Sequence, residues 1–319
     1  MRLKYDRNKR WKKIRAVPSN FCPAVLVPIF GAMLLNQLST ILVEQKAVAS
    51  MHLKRQVIVD VHLPKNIEDP SSLSLLIIND GQDLEDMPFA PMLNGLLSSG
   101  QIQPVLCVGL HCNKYRRDEY GTAAMPDFAG RGTRSAAYQK FIVEELLPFL
   151  HEAYAVDAFR QQAIAGFSMG GLSALDTAWN HPGIFTTVGV FSGSLWWRMK
   201  GLDDGYDDDK HRIIQQQIRY GKKVSGLRFY FTTGSMDETA DRNGNGVIDS
   251  IDDTQDTIKE LEALGYNGEK DIRYINFEDG RHDVHTWGRA MPGFLLWGWS
   301  VTNDRTEEQR IMNEEAKVI

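Results

Sequence analysis

Short, almost continuously apolar runs punctuate this chain, and longer stretches between them carry apolar residues at helical spacing. Runs 73–78 and 105–110 predict strands buried on both faces. Runs 40–47 and 56–63 are alternating or β-branched, and predict a strand pair that stops at Pro64. Further short runs at 162–165, 186–191, 227–232 and 272–277 predict four more strands. Segments 138–153, 169–179, 211–219, 254–264 and 285–297 carry the helical pattern. Strand and helix alternate, which predicts one α/β domain over 39–300 with a mainly parallel central sheet and helices on both faces. No repeat or low-complexity linker interrupts it, and residues 301–319 read as a charged tail.

Composition narrows the class. With 43% hydrophobic and 24% charged residues, the 319-residue chain is globular and not disordered. The net charge of −5 hides a split. Residues 1–20 hold eight cations and one acid, a net +7, which leaves −12 for the remainder. Most of that excess sits in two stretches, 203–209 and 237–256. An acidic body with a basic tail argues against a nucleic-acid groove. Three cysteines (Cys22, Cys107, Cys112) cannot make a disulfide framework, and Cys107 reads as a buried thiol.

Residues 1–38 form a basic and apolar extension. The fifteen-residue apolar run 21–35 resembles a signal h-region and is short for a membrane span. The nearest small-x-small site, Ala47-Val48-Ala49, falls inside an expected strand, so cleavage there would cut the domain. A start at Met33 is the other reading. The expectation is a cytoplasmic protein with no stable membrane span; a secreted or periplasmic one follows if 1–35 act as a signal.

The most informative string is Gly166-Phe167-Ser168-Met169-Gly170-Gly171. It follows an expected strand and opens an expected helix, the context that gives G-x-S-x-G its meaning. Such a turn strains the serine backbone and leaves no room for side chains at 166 and 170, so glycine is the steric answer. Ser168 is the candidate nucleophile, and the Met169 N–H, next in the chain, is an oxyanion donor. A serine needs a base, and the base an orienting acid, in the chain order Ser, Asp or Glu, His. Two later strands deliver Asp237 and Glu238, then His282 and His285, into loops at a carboxyl sheet edge. Asp237 is the candidate acid, with Glu238 as fallback, and His282 the base, since His285 would lie in the next helix. Trp196 and Trp197 are candidate pocket residues, while Arg116, Arg117, Glu119 and Tyr120 read as a buried structural group.

These residues resemble the esterase family of α/β hydrolases that contains esterase D, enterochelin esterase and feruloyl esterases. The likeness spans about residues 40–298. It rests on Arg117-Asp118-Glu119-Tyr120, Glu144-Glu145-Leu146-Leu147-Pro148, Gly166–Gly171 with Leu172, and Gly280-Arg281-His282-Asp283. The family histidine loop reads Gly-Gly-His-Asp plus an aromatic, so Arg281 and Val284 depart from it. The resemblance implies an α/β-hydrolase fold, a triad of Ser168, Asp237 and His282, and a second oxyanion donor at Gln82 N–H.

The second acidic stretch matches the twelve-residue calcium loop from Asp241 to Asp252. Side-chain ligands would be Asp241, Asn243, Asn245, Asp249 and Asp252, with the Val247 carbonyl at the seventh position. Asp252 replaces the usual glutamate, and the competing reading is an Asn-Gly turn whose aspartates cap a helix. The sequence thus points to a serine esterase of small acyl or carbohydrate- or siderophore-linked esters, with no catalytic cofactor and a structural Ca²⁺. Its partner is a small-molecule ester; oligomeric state is left open. The alternatives are an acyltransferase on the same triad and a non-catalytic calcium-dependent binding module.

Overall fold

The computed structural model describes residues 39–65 and 67–301, so the expected extension 1–38 and tail residues 302–319 lie outside the described residues. The described residues from Thr40 onward form one unit, which holds the fold described below. Strands β1 (Ile41–Ser50) and β2 (Arg55–Pro64) make an antiparallel hairpin, and β2 continues antiparallel onto β4 (Val105–Leu110). From β4 the sheet runs parallel through β3 (Ser74–Asn79), β5 (Gln162–Phe167), β6 (Thr187–Phe191), β7 (Arg228–Met236) and β8 (Ile272–Arg281). The order β1-β2-β4-β3-β5-β6-β7-β8 is that of a mainly parallel α/β-hydrolase sheet with an antiparallel edge.

Every residue of β3, β4 and β6 is buried, as continuous apolar runs require once helices cover both faces. Alternate side chains feed two cores. Leu75, Ile77, Leu106 and Ile164 pack with Phe141, Leu146, Leu172 and Ile214 on one face. Leu76, Ile78, Cys107 and Ala165 pack with Phe89, Leu93, Phe294 and Leu295 on the other. Helix α1 (Phe89–Ser98) belongs to that second layer and has no counterpart in the sequence pattern. Pro91 and Gly95 disguise it, yet a proline in the first turn loses no hydrogen bond, and burial of Phe89 and Leu93 supplies the stability.

The expected helix 138–153 is three pieces: α3 (Ser135–Lys140), a π-helical turn (Phe141–Leu146) and α4 (Leu147–Tyr154). The π turn sends two successive acids to the β1–β2 hairpin. Glu145 accepts from Ser50 Oγ and the Met51 N–H at 2.5 and 2.8 Å, and Glu144 meets the His52 ring at 2.7 Å. Short α2 (Arg116–Glu119) follows β4, and α5 (Met169–Asn180) follows β5. The expected helix 211–219 is broken at Arg212 into α6 (Asp208–His211) and α7 (Ile213–Arg219). Helix α8 (Asp249–Ala263) starts five residues before the expected 254, with Asp249 and Asp252 in the first turn, where acids suit the helix dipole. Helix α9 (Val284–Trp299) closes the fold. Among the described residues no helix is long and apolar enough to cross a membrane.

Candidate active site

Ser168 sits between the last residue of β5 and the first of α5, at φ 54° and ψ −123°. That conformation costs a non-glycine residue about 1–3 kcal/mol, and four backbone hydrogen bonds hold it. The Ser168 N–H donates to Phe191 O at 2.9 Å, and its carbonyl accepts from Gly171, Leu172 and Ser194 N–H at 3.0, 3.2 and 3.0 Å. A Cβ on Gly166 would stand 2.4 Å from the Gly170 backbone, and one on Gly170 2.7 Å from Asp80 Oδ2. Both glycines are therefore required by close approach. The Met169 N–H opens α5, where no intrahelical acceptor exists. The half-buried Ser168 hydroxyl lies 3.4 Å from Ser194 Oγ.

Parallel pairing of β7 and β8 puts Met236 opposite Arg281 after an irregularity at Gly234, so Asp237 and His282 leave adjacent strands side by side. Asp237 Oδ2 accepts the Gly234 N–H at 2.9 Å, while its buried Oδ1 has no hydrogen-bond partner. Burial raises the Asp237 pKa, opposed by the Gly234 N–H, the Ser192 hydroxyl and His282. Burial pulls the His282 pKa below its ordinary value, opposed by Asp237 and reinforced by Arg116. The residue nonetheless keeps an exposed surface. No hydrogen bond among the described residues joins His282 to Asp237 or Ser168; the edge gathers them, and Asp237 and His282 interact through charge. Glu238 faces Asp249 and Asp253 across α8 and is raised by burial, while His285 is exposed in α9.

Three contacts behind this edge are not legible in local sequence. Trp287 stacks on Phe167 at 5.2 Å, meets His282 edge-on at 5.3 Å and donates Nε1–H to Ser192 Oγ at 3.1 Å. Asp80, itself at φ 61°, holds Arg116 through two bonds of 2.8 and 2.7 Å beside Gly170. Glu119 bonds instead to Arg55 and Arg134, so the expected structural group divides into a pair and a triad, with Arg117 exposed. Gln82 lies half-buried in a 3-10 turn after β3, its Oε1 accepting the Cys112 N–H at 3.0 Å.

Of the two pocket candidates, Trp197 is corrected: it is fully buried in the core, where its ring fills space against Gly121 and Gly132. Trp196 is half-buried, with the Arg131 and Arg198 guanidinium groups 4.7 and 5.6 Å from its ring. A cleft of about 1050 Å³ opens elsewhere, between the first residues of β7 and β8 and the end of α9, far from Ser168 along the strands.

In the 241–252 loop, Asp241 accepts the Gly244, Asn245 and Gly246 N–H groups at 2.8, 3.1 and 2.9 Å. The Asn243 and Asn245 amides both reach Asp252 Oδ2, at 2.9 and 2.6 Å. Positions three, five and twelve thus meet, while position one is bonded to the loop backbone; oxygen donors of this kind suit a hard cation. Asp249 is diverted, accepting the Arg242 N–H at 2.9 Å and facing its guanidinium at 3.3 Å. No group of three or more His, Cys, Asp or Glu side chains among the described residues is arranged to hold a metal.

Arg242 also ties one acid of the first acidic stretch, Asp208, to the second. It binds Asp208 and the buried Asp253, and Arg212 joins Asp253 and Asp256 at 2.7 and 2.8 Å. Asp207 caps α6 and Asp209 meets Arg219.

A family model described as "Putative esterase" matches residues 50–297. The chain belongs to this esterase family. It is 23% identical over 251 residues to "Uncharacterized protein YjcH" of Bacillus subtilis, covering 77% of this chain and 92% of that one. Iron(III) enterobactin esterase of Escherichia coli is 24% identical over 231 residues, 70% of this chain, and the chain spans about half (49%) of that protein's length. The fold also matches an IroE-like serine hydrolase from Shewanella oneidensis, with TM-score 0.61 and 19% identity over 81% of this chain and 79% of that one. Membership of the esterase family supports carboxylic ester hydrolysis as the chemistry.

Proposed function

We propose that this esterase works through an acyl-enzyme on Ser168, with His282 as base and Asp237 as its orienting acid. The observation that carries this reading is the strained Ser168 elbow at the sheet edge where β7 and β8 deliver Asp237 and His282 together. His282 takes the Ser168 proton as Oγ bonds to the ester carbon and the carbonyl oxygen becomes an oxyanion. Collapse expels the alcohol, which takes that proton, and water then repeats the sequence to release the acid. The Met169 and Gln82 N–H groups stabilise the oxyanion, each worth about 3 kcal/mol in the transition state. Asp237 holds the imidazole and stabilises its cation.

For substrate, we favour an ester of an anionic aromatic acid, of the kind siderophores carry. Trp196, Phe128 and Tyr206 carry the Arg131 and Arg198 guanidinium groups on their rings; Arg131 is paired with the buried Asp127, so Arg198 supplies the cation of this aromatic patch, which begins two residues beyond Ser194. The enterobactin esterase relatives support that choice. The 241–252 loop is proposed to hold a structural Ca²⁺ through Asp241, Asn243, Asn245, the Val247 carbonyl and Asp252, with Asp249 kept by Arg242, fixing the backbone four residues after Asp237. It takes no part in the chemistry.

The test is Ser168→Ala with acetyl, butyryl, feruloyl and trilactone esters and a fluorophosphonate label. Hydrolysis and labelling disappear while the protein stays folded; an active, labelled variant refutes the mechanism. A preference for acetyl over aromatic acyl groups refutes the substrate choice alone.

A further inference from the structure

Ser192 is the first residue past β6 and stands at φ 44°, almost wholly buried. Glycine would adopt that backbone without strain, so a serine here calls for a reason in its side chain. Its backbone N–H is tied to Thr232 O at 2.8 Å, on the strand that leads to Asp237. Its Oγ accepts the Trp287 Nε1–H at 3.1 Å, and that indole is itself clamped between Phe167, the neighbour of Ser168, and the His282 ring. With its acceptor side occupied by the indole, the hydroxyl proton is left to point elsewhere. Asp237 follows β7, the strand paired with β6, and its Oδ1 is a buried oxygen without a hydrogen-bond partner.

We infer that Ser192 and Trp287 form a positioning pair for the catalytic acid. Trp287 fixes the Ser192 hydroxyl as acceptor, and the hydroxyl proton then steadies Asp237 Oδ1 so that the carboxylate stays aimed at His282. One side chain thereby touches both ends of the site: the indole supports the strand carrying Ser168 and, through Ser192, the acid of β7. This inference rests on the Ser168–His282–Asp237 reading above.

Charged groups facing His282 are Asp237 from β7, Arg116 from α2 and Asp283 beside it; those facing Asp237 are His282 and Asp283. Of these, the Asp237 carboxylate does most to hold the His282 pKa up against burial. If Asp237 drifts, His282 loses that support and its pKa falls further.

The experiment compares Ser192→Gly, which removes hydroxyl and backbone strain together, with Trp287→Phe, which keeps an aromatic ring and removes the N–H. Each is expected to lower kcat about tenfold or more with KM little changed, as small misplacements in a site do. Each also moves the acid limb of kcat/KM to lower pH, and the double variant is no worse than the poorer single one. Ser192→Gly keeps or gains thermal stability. A wild-type kcat and pH profile in Ser192→Gly overturns the inference. So does additivity in the double variant, which would make the two residues independent packing units. If Ser192→Gly does not fold, Trp287→Phe alone decides by its pH limb, because a purely structural loss lowers the melting temperature and leaves the limb in place. Ser168→Ala run alongside separates the failures: if it stays active the mechanism falls, and if it is dead while Ser192→Gly is normal only this pair falls.

Discussion

Arg242→Met tests the ion cluster that ties the two acidic stretches together. The Arg242 side chain is 6% exposed and Asp253 1%, so this contact is made away from water. Its guanidinium serves Asp208, Asp249 and Asp253 at once. Methionine preserves the apolar stem and removes the charge, leaving Asp253 with Arg212 alone. Breaking a buried pair by removing one partner costs about 3–5 kcal/mol, and the surviving Arg212 places this case near 3. At about 2–3 °C per kcal/mol for a domain of this size, the melting temperature falls by about 6–9 °C. Burial already raises the Asp253 pKa, and the two arginines oppose it. Losing one raises it further. A carboxyl with a raised folded pKa destabilises the protein in full above that pKa, and the penalty declines to zero as pH falls from it to the unfolded pKa, so the defect is largest at pH 8 and shrinks on acidification. Adding Asp253→Asn recovers part of the loss at pH 8. Thermal unfolding followed by circular dichroism at several pH values measures this, and a shift under about 2 °C, or one independent of pH, refutes the reasoning.

Gly170→Ala drives a Cβ to 2.7 Å from Asp80 Oδ2, which the two Arg116 bonds prevent from yielding; overpacking of about 1–3 kcal/mol and a loss of esterase activity are expected, and an unaltered variant in melting and rate assays contradicts that geometry. With His282 acting as base and its pKa lowered by burial, kcat/KM should fall only below about pH 6.5, and an acid limb above pH 7 in a pH–rate profile opposes the assignment. Chelation by EGTA is expected to lower melting temperature and activity together, with Ca²⁺ restoring both; no change in either removes the ion from the 241–252 loop.

Most of the sheet was legible because β3 to β7 are largely buried runs whose signal is local. The elbow was legible for the same reason: Gly166, Ser168 and Gly170 meet steric demands within five residues. Asp237 and His282 could be placed from the order of strands, although only the Met236–Arg281 register shows that they leave side by side. Ser192, Trp287 and Asp80 were hidden because their meaning lies in contacts across many residues; Ser192 bonds a partner 95 positions away. Trp197 misled because a tryptophan beside a candidate pocket looks the same in sequence whether it lines the wall or fills the core behind it. Helix α1 was obscured by Pro91 and Gly95, where tertiary burial outweighs propensity.

The clasp between the π turn and the first hairpin bears on how the chain comes off the ribosome. Strands β1 and β2 emerge first and can pair at once, but the Ser50 hydroxyl finds Glu145 only after 95 more residues have been made. Until then the hairpin turn is uncapped, and β2 must wait for β4 to cover its other side. The earliest part of this fold to be synthesised is thus among the last to be secured, and an exit delay before residue 145 would leave a bare strand pair in the company of chaperones. A single-residue deletion that straightened the π turn into an α-helix would leave Ser168 in place and release that latch.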